Sequence, residues 1–188
     1  MNATSAPEPD FTGRTAIITG AAKGLGRAYA LWLAARGCAV VASNRPAAAG
    51  PSPLHALVAQ IRQSGGRAIA HEGAVEDPQA AAEAVDLACR HFGPPAIFLS
   101  NAGVQAWRDF ATASLADMRA LLDINLWGAI LGLKAVWPAM LEAGYGRVVL
   151  TSSSAGLWGQ QRSADYGASK AAMVGLARSV ALDVPAGG

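Results

Sequence analysis

The chain is poor in the residues that build disulfide, metal or nucleic-acid sites. Its two cysteines, Cys38 and Cys89, are far apart in sequence, so neither a disulfide framework nor the close pairs of a zinc or redox motif is available. The three histidines, His55, His71 and His91, are isolated, and His71-Glu72 lacks the second histidine of a zinc-protease helix, which predicts no metal site. Charge of one sign is lacking too. Fifteen Lys and Arg against 13 Asp and Glu leave a formal charge of +2, with the basic residues scattered, so no nucleic-acid partner is expected. Glycine or charge interrupts each apolar run, and no run is read as approaching the roughly 18 residues of a bilayer span. The opening MNATSAPEPDF has neither the basic start nor the apolar stretch of a secretory signal. These absences together predict a soluble, reduced, cytoplasmic protein with no membrane partner.

What the chain does have is apolar content: 52% of its 188 residues, enough for one substantial core. Residues 1–12 read as a flexible polar arm and 13–188 as a single domain. Short, nearly continuous apolar runs suit strands covered on both faces: TAIIT (Thr15 to Thr19), AVVA (Ala39 to Ala42), RAIAH (Arg67 to His71), AIFLS (Ala96 to Ser100) and RVVLT (Arg147 to Thr151). Helical stretches alternate with them, over 24–36, 53–64, 77–92, 114–140 and 163–181. Ser114-x-x-Asp117 has the form of a capping box, and Gly65-Gly66 is placed to end the second helix. Alternation of this kind predicts an α/β fold, a doubly wound parallel sheet of at least five strands with helices on both faces.

Directly after the first run comes TGAAKGLG, Thr19 to Gly26. Glycines at 20, 24 and 26 let the backbone turn tightly and approach a pyrophosphate held at a helix N-terminus. Between a predicted strand and a predicted helix, this string points to a Rossmann-like dinucleotide site. Its spacing resembles the T-G-x-x-x-G-x-G pattern of the short-chain dehydrogenase/reductase family. Ser100 to Gly103 (SNAG) resembles the family's N-N-A-G, with serine in the first place. Asn125 in DINLWG resembles its helix asparagine, Ser153 in TSSSAG its serine, and Tyr166 with Lys170 its Y-x-x-x-K pair. The matches keep family order over nearly the whole chain. In wording they are most similar to the (3R)-hydroxyacyl-CoA dehydrogenase units of peroxisomal-type multifunctional enzymes.

The resemblance implies an oxidoreductase that moves hydride between a nicotinamide and a small hydroxyl or carbonyl substrate. The residue types suit that chemistry. A free tyrosine, with a pKa of about 10, is a poor base at neutral pH, and an ammonium one helical turn away favours its phenolate. Tyr166 is the candidate general acid/base. Ser153 would hold the substrate oxygen, and its interval to Tyr166 selects it over Ser152 and Ser154. The resemblance further implies that Lys170 grips the nicotinamide ribose and that Asn125 holds a water linking Lys170 to solvent. The alternative for Asn125 is a helix residue whose side chain is merely satisfied. Thr19, Gly20, Lys23, Gly24, Leu25, Gly26, Asn44, Arg45, Asn101, Ala102 and Gly103, with Tyr166 and Lys170, are the expected cofactor-binding set.

An NAD site places Asp or Glu about 20 residues past the glycine loop. Here the second strand ends in Asn44 and Arg45. Without the carboxylate a 2′-phosphate meets no repulsion, and Arg45 with Lys23 can pair with it, so NADP is expected ahead of NAD. Leu157, Trp158 and Gln160, and Trp107 after SNAG, read equally as an apolar substrate wall or as core packing.

The sequence departs from the family at its end. It stops at ALDVPAGG, where family members continue with a strand bearing a Pro-Gly turn, a substrate-covering helical segment and a final strand. The expectation is a C-terminally short domain whose RVVLT strand is an unprotected edge, with little turnover on its own. The other reading is an inactive dinucleotide-binding or dimerising protein. The helices over 114–140 and 163–181 resemble those that pair in family dimers, so a homo-oligomer is expected.

Overall fold

The computed structural model describes residues 8–184. Five parallel strands form one sheet in the order β3-β2-β1-β4-β5: β1 is Thr15–Thr19, β2 Ala39–Asn44, β3 Ala68–Glu72, β4 Ile97–Ser100 and β5 Arg147–Leu150. The helices are α1 (Gly24–Ala34), α2 (Pro53–Gln63), α3 (Pro78–His91), α4 (Leu115–Leu122), α5 (Gly128–Glu142), α6 (Ser154–Trp158) and α7 (Ala164–Leu182).

Period-two alternation explains why these runs are apolar throughout. Ala16 and Ile18 of β1 join Val40 and Ala42 of β2 in a core shared with Leu33, Leu57 and Ile61 of α1 and α2. The residues between them, Ile17 and Val41, join Phe98, Leu133 and Val136 on the opposite face. Successive strand residues point to opposite faces, so a strand with helices on both sides must be apolar at every position. Each fully buried aliphatic side chain here contributes about 1.5–3 kcal/mol.

The sheet order reverses beside β1, which pairs with β2 on one side and β4 on the other. In open α/β sheets that switch opens a crevice at the carboxyl ends of the strands. The residues after β1, β4 and β5 all lie at that end.

Several expectations change in detail. The helix expected over 114–140 is interrupted by a π-helical turn, Asp123–Trp127, between α4 and α5. A further helix absent from the expected set, the single-turn α6 (Ser154–Trp158), follows β5. The box at Ser114 is half made: its hydroxyl accepts the Asp117 amide at 3.0 Å, while the Asp117 carboxylate faces Arg108 at 4.0 Å. The absence of any span-length apolar run also needs correction, because the 28-residue helical run Leu115–Glu142 is long and apolar enough to cross a membrane by length and composition. It lies along the domain instead, burying Leu121, Asn125, Leu133, Val136 and Met140.

Of the arm expected over 1–12, residues 1–7 lie outside the described residues. The remainder is tied to α1 and the turn after it. The Phe11 amide donates to the Arg36 carbonyl at 2.8 Å, and the Phe11 ring meets Trp32 edge-on, centroids 5.6 Å apart.

Candidate active site

The turn after β1 is set by close approach. Gly20 has φ +65, and a Cβ there would stand 2.8 Å from the Ala102 Cα; at Gly26 one would strike the Gly20 carbonyl oxygen and come within 2.7 Å of Asn101 Nδ2. Two side chains lock the turn to the end of β4. Thr19 Oγ1 accepts the amides of Asn101 and Ala102, each at 3.1 Å. Asn101 Nδ2 donates to the carbonyls of Thr19 and Gly20, each at 3.3 Å. Thr19 and Asn101, expected to contact the cofactor, therefore hold the two loops that flank the crevice.

The same geometry opens α1 to an anion. Lys23 caps it without a side-chain hydrogen bond, and its first turn holds no acidic residue. Amides at such a helix N-terminus point their donors and partial positive charge outward, so the residues present fit a pyrophosphate. Lys23, Leu25 and Arg45 are exposed and Asn44 is half-buried at the end of β2, its Nδ2 donating to the Arg45 carbonyl at 2.8 Å.

The catalytic candidates converge from three elements. Tyr166 and Lys170 lie on one face of α7, with Lys170 Nζ 5.8 Å from the Tyr166 ring centroid. Lys170 is 5% exposed, and Nζ donates to the Thr151 carbonyl at 2.9 Å just past β5. Burial pulls its ammonium below the usual lysine range, because a charged group loses water there. Gly103 stands over this point: a Cβ on it would lie 3.2 Å from Asn125 Oδ1 and 3.4 Å from Lys170 Nζ.

Asn125 lies in the π-helical turn and is 2% exposed. Its Oδ1 accepts the Val104 amide at 2.7 Å, and its Nδ2 donates to the Val104 carbonyl at 2.9 Å and to Ser169 Oγ at 3.1 Å. The side chain thus joins the loop after β4 to α7. Ser153 caps α6 by accepting the Ala155 amide at 3.2 Å. Close packing brings α6 to α7: a Cβ on Gly156 would come within 2.6 Å of the Ala171 nitrogen, and one on Gly167 within 3.1 Å of the Ala155 carbonyl. Ser152 donates to the Lys170 carbonyl at 2.7 Å, a structural tie distinct from the role expected of Ser153.

Trp107 and Trp158 are not core residues. Trp107 is 57% and Trp158 85% exposed, which removes the packing reading. Ser169, Thr151 and the pair Arg108–Asp165 were missed in the sequence. Only Ser169, inside the Tyr-x-x-x-Lys interval, had a local signal.

A doubly wound parallel sheet with an open helix N-terminus after β1, and a tyrosine beside a buried lysine on α7, defines a Rossmann-like α/β protein. The family model for short chain dehydrogenase matches residues 14–188, and the chain belongs to that family. It is 38% identical over 180 residues to a short-chain type dehydrogenase/reductase of Mycobacterium tuberculosis, covering 93% of this chain and 63% of that protein. It is 34% identical over 178 residues to the peroxisomal multifunctional enzyme type 2 of Drosophila melanogaster, covering 92% of this chain and 29% of that one. Among solved structures, NAD+-bound xylitol dehydrogenase superposes with a TM-score of 0.88 at 33% identity, covering 95% of this chain and 68% of that chain. The chain therefore spans less than two thirds of the length of these two curated relatives.

Proposed function

We propose that this chain carries the nucleotide site and catalytic group of an NADP-preferring oxidoreductase acting on a small alcohol or carbonyl compound. The observation that carries the reading is the burial of Lys170 beside Tyr166, facing Gly103 at the switch crevice. A bound nicotinamide would supply the hydride exchange with the substrate's alcohol or carbonyl carbon. Tyr166 takes the hydroxyl proton in one direction and gives it back in the other. The Lys170 ammonium attracts the negative charge that develops on the phenol oxygen, and Ser153 donates to the substrate oxygen. Asn125 holds the loop after β4 in place and, as a further role, a water path from Lys170. The glycine turn and the amides of α1 seat the pyrophosphate. Lys23 and Arg45 receive a 2′-phosphate, for which Asn44 offers no repelling charge.

Titrating the 188-residue chain with NADPH and NADH, followed by nicotinamide fluorescence, tests the cofactor assignment. Tighter NADPH binding is expected, and no binding of either nucleotide overturns it. With a panel of alcohols, Tyr166→Phe is expected to lower turnover by about 10²–10⁴-fold. Undiminished turnover would remove Tyr166 from the mechanism.

One observation favours a second reading, a dinucleotide-binding or dimerising protein without turnover. Among the described residues β5 is paired on one side only, with Val149 46% exposed. Cofactor binding with no turnover on any alcohol would favour it. We further propose a homo-oligomer formed through α4, the π-helical turn after it, α5 and α7, where Trp127, Leu141 and Leu182 are exposed; a monomeric mass in light scattering would oppose this.

A further inference from the structure

α7 begins under constraint. Its cap residue Ser163 makes no side-chain capping hydrogen bond, so its first-turn amides need other partners. Arg162, just before it, has φ +59 and is the one non-glycine residue with positive φ among the described residues. A backbone state of this kind persists only where its surroundings impose it.

Arg108, on the loop after β4, supplies that constraint twice. Its amide donates to the Arg162 carbonyl at 2.8 Å, and its Nη1 pairs with Asp165 Oδ2 at 2.8 Å. The Asp165 side chain is 3% exposed, and its other oxygen, Oδ1, accepts the Tyr166 amide at 2.9 Å. A carboxylate this deeply buried depends on a charged partner. Here the partner arrives from the loop that also carries Asn101 and Gly103.

We infer that Arg108 and Asp165 are positioning residues: the pair fixes the first turn of α7 against the loop after β4 and so sets where Tyr166 stands over the crevice. The inference rests on the reading of Tyr166 as the acid/base group. Neither residue touches the reacting atoms; they act through the backbone of Tyr166. Misplacement of a reacting group by about 1 Å costs about 10²-fold in rate, which sets the size of the expected effect.

The test uses the full chain and two readouts. Amide hydrogen exchange resolved by NMR reports the Tyr166 N–H directly and needs no substrate. In Arg108→Gln, exchange at Tyr166 and Gly167 is expected to rise by about tenfold or more, a local opening, while Met173 and strand amides keep their protection. Turnover should fall by about 10²-fold with KM nearly unchanged. Arg108→Lys, which restores the charge, should recover part of both. Asp165→Asn keeps an acceptor for the Tyr166 amide and should fold normally, yet should lose turnover in the same direction. Unchanged Tyr166 exchange in Arg108→Gln overturns the inference, as does exchange that rises evenly over α7 and the sheet. If the unmutated chain shows no turnover, the exchange result still decides the positioning role, and the failure belongs to the catalytic reading.

Discussion

The ammonium of Lys170 stands 5.8 Å from the ring centroid of Tyr166 and donates to the backbone carbonyl of Thr151 at 2.9 Å. No carboxylate pairs with Lys170 among the described residues, and burial lowers its proton affinity. Such a charge costs stability, because a single carbonyl does not replace a hydration shell. Under the proposed function, that cost is offset by the effect of Lys170 on Tyr166 and the cofactor.

Lys170→Met separates those effects. Turnover should fall by about 10²-fold or more, while unfolding free energy in a denaturant titration stays level or rises by about 1 kcal/mol. A large loss of stability would show that Lys170 is chiefly structural.

The glycine turn yields a paired prediction. Gly26→Ala drives a Cβ into the Gly20 carbonyl, deforming the turn that Thr19 and Asn101 hold, and should weaken NADPH binding by more than about tenfold, 1.4 kcal/mol. Gly24 has φ +55 with open space around it, so Gly24→Ala should cost about 1 kcal/mol of stability from backbone strain alone and spare more of the binding. Equal binding losses in the two variants would contradict the steric account.

These glycines also mark what a sequence discloses. The strand of TAIIT matches β1 at both ends because a strand covered on both faces must be apolar at every residue. Tyr166 and Lys170 were legible for a similar reason, since one helical turn relates them and local spacing shows in sequence. The π-helical turn at Asp123–Trp127 was hidden inside apolar residues that continue on either side. α6 is a single turn containing Gly156, too short for a period to develop. Arg108 and Asp165 are joined only by the fold, and a long-range ion pair leaves no periodic trace. Exposure of Trp158 was equally silent, because residue type alone does not say whether a tryptophan packs in a core or stands at a surface.

The proposed preference for NADP rests on the end of β2. Asn44 is neutral and Arg45 is exposed beside it. Asn44→Asp introduces a carboxylate that accepts a ribose 2′-hydroxyl and repels a 2′-phosphate. The ratio of NADPH to NADH dissociation constants should shift toward NADH by about tenfold, and Arg45→Ser should move it the same way by less. Fluorescence titrations of both nucleotides measure the ratio. An unchanged ratio in both variants would mean that the preference is set elsewhere.

The buried histidine gives the chain a pH dependence of its own. His71 is buried on β3, its Nδ1 lies 3.0 Å from Ser43 Oγ on the neighbouring strand, and its Nε2 has no hydrogen-bond partner. That nitrogen faces the Glu83 carboxylate of α3 across 4.0 Å. Burial lowers its pKa, and the Glu83 charge opposes the shift without reversing it. A lowered value in the folded state means that the unfolded chain binds a proton first as pH falls. Stability is then full above the ordinary histidine value of about 6.5 and declines as pH drops through it, until the folded-state value is passed. Thermal melts between pH 8 and pH 5 should show that decline, and His71→Gln should flatten it while His55, paired with Glu72 at 3.3 Å on the exposed side, is left in place. Parallel pH profiles for the two proteins would assign the acid sensitivity to other groups and leave His71 a neutral packing residue.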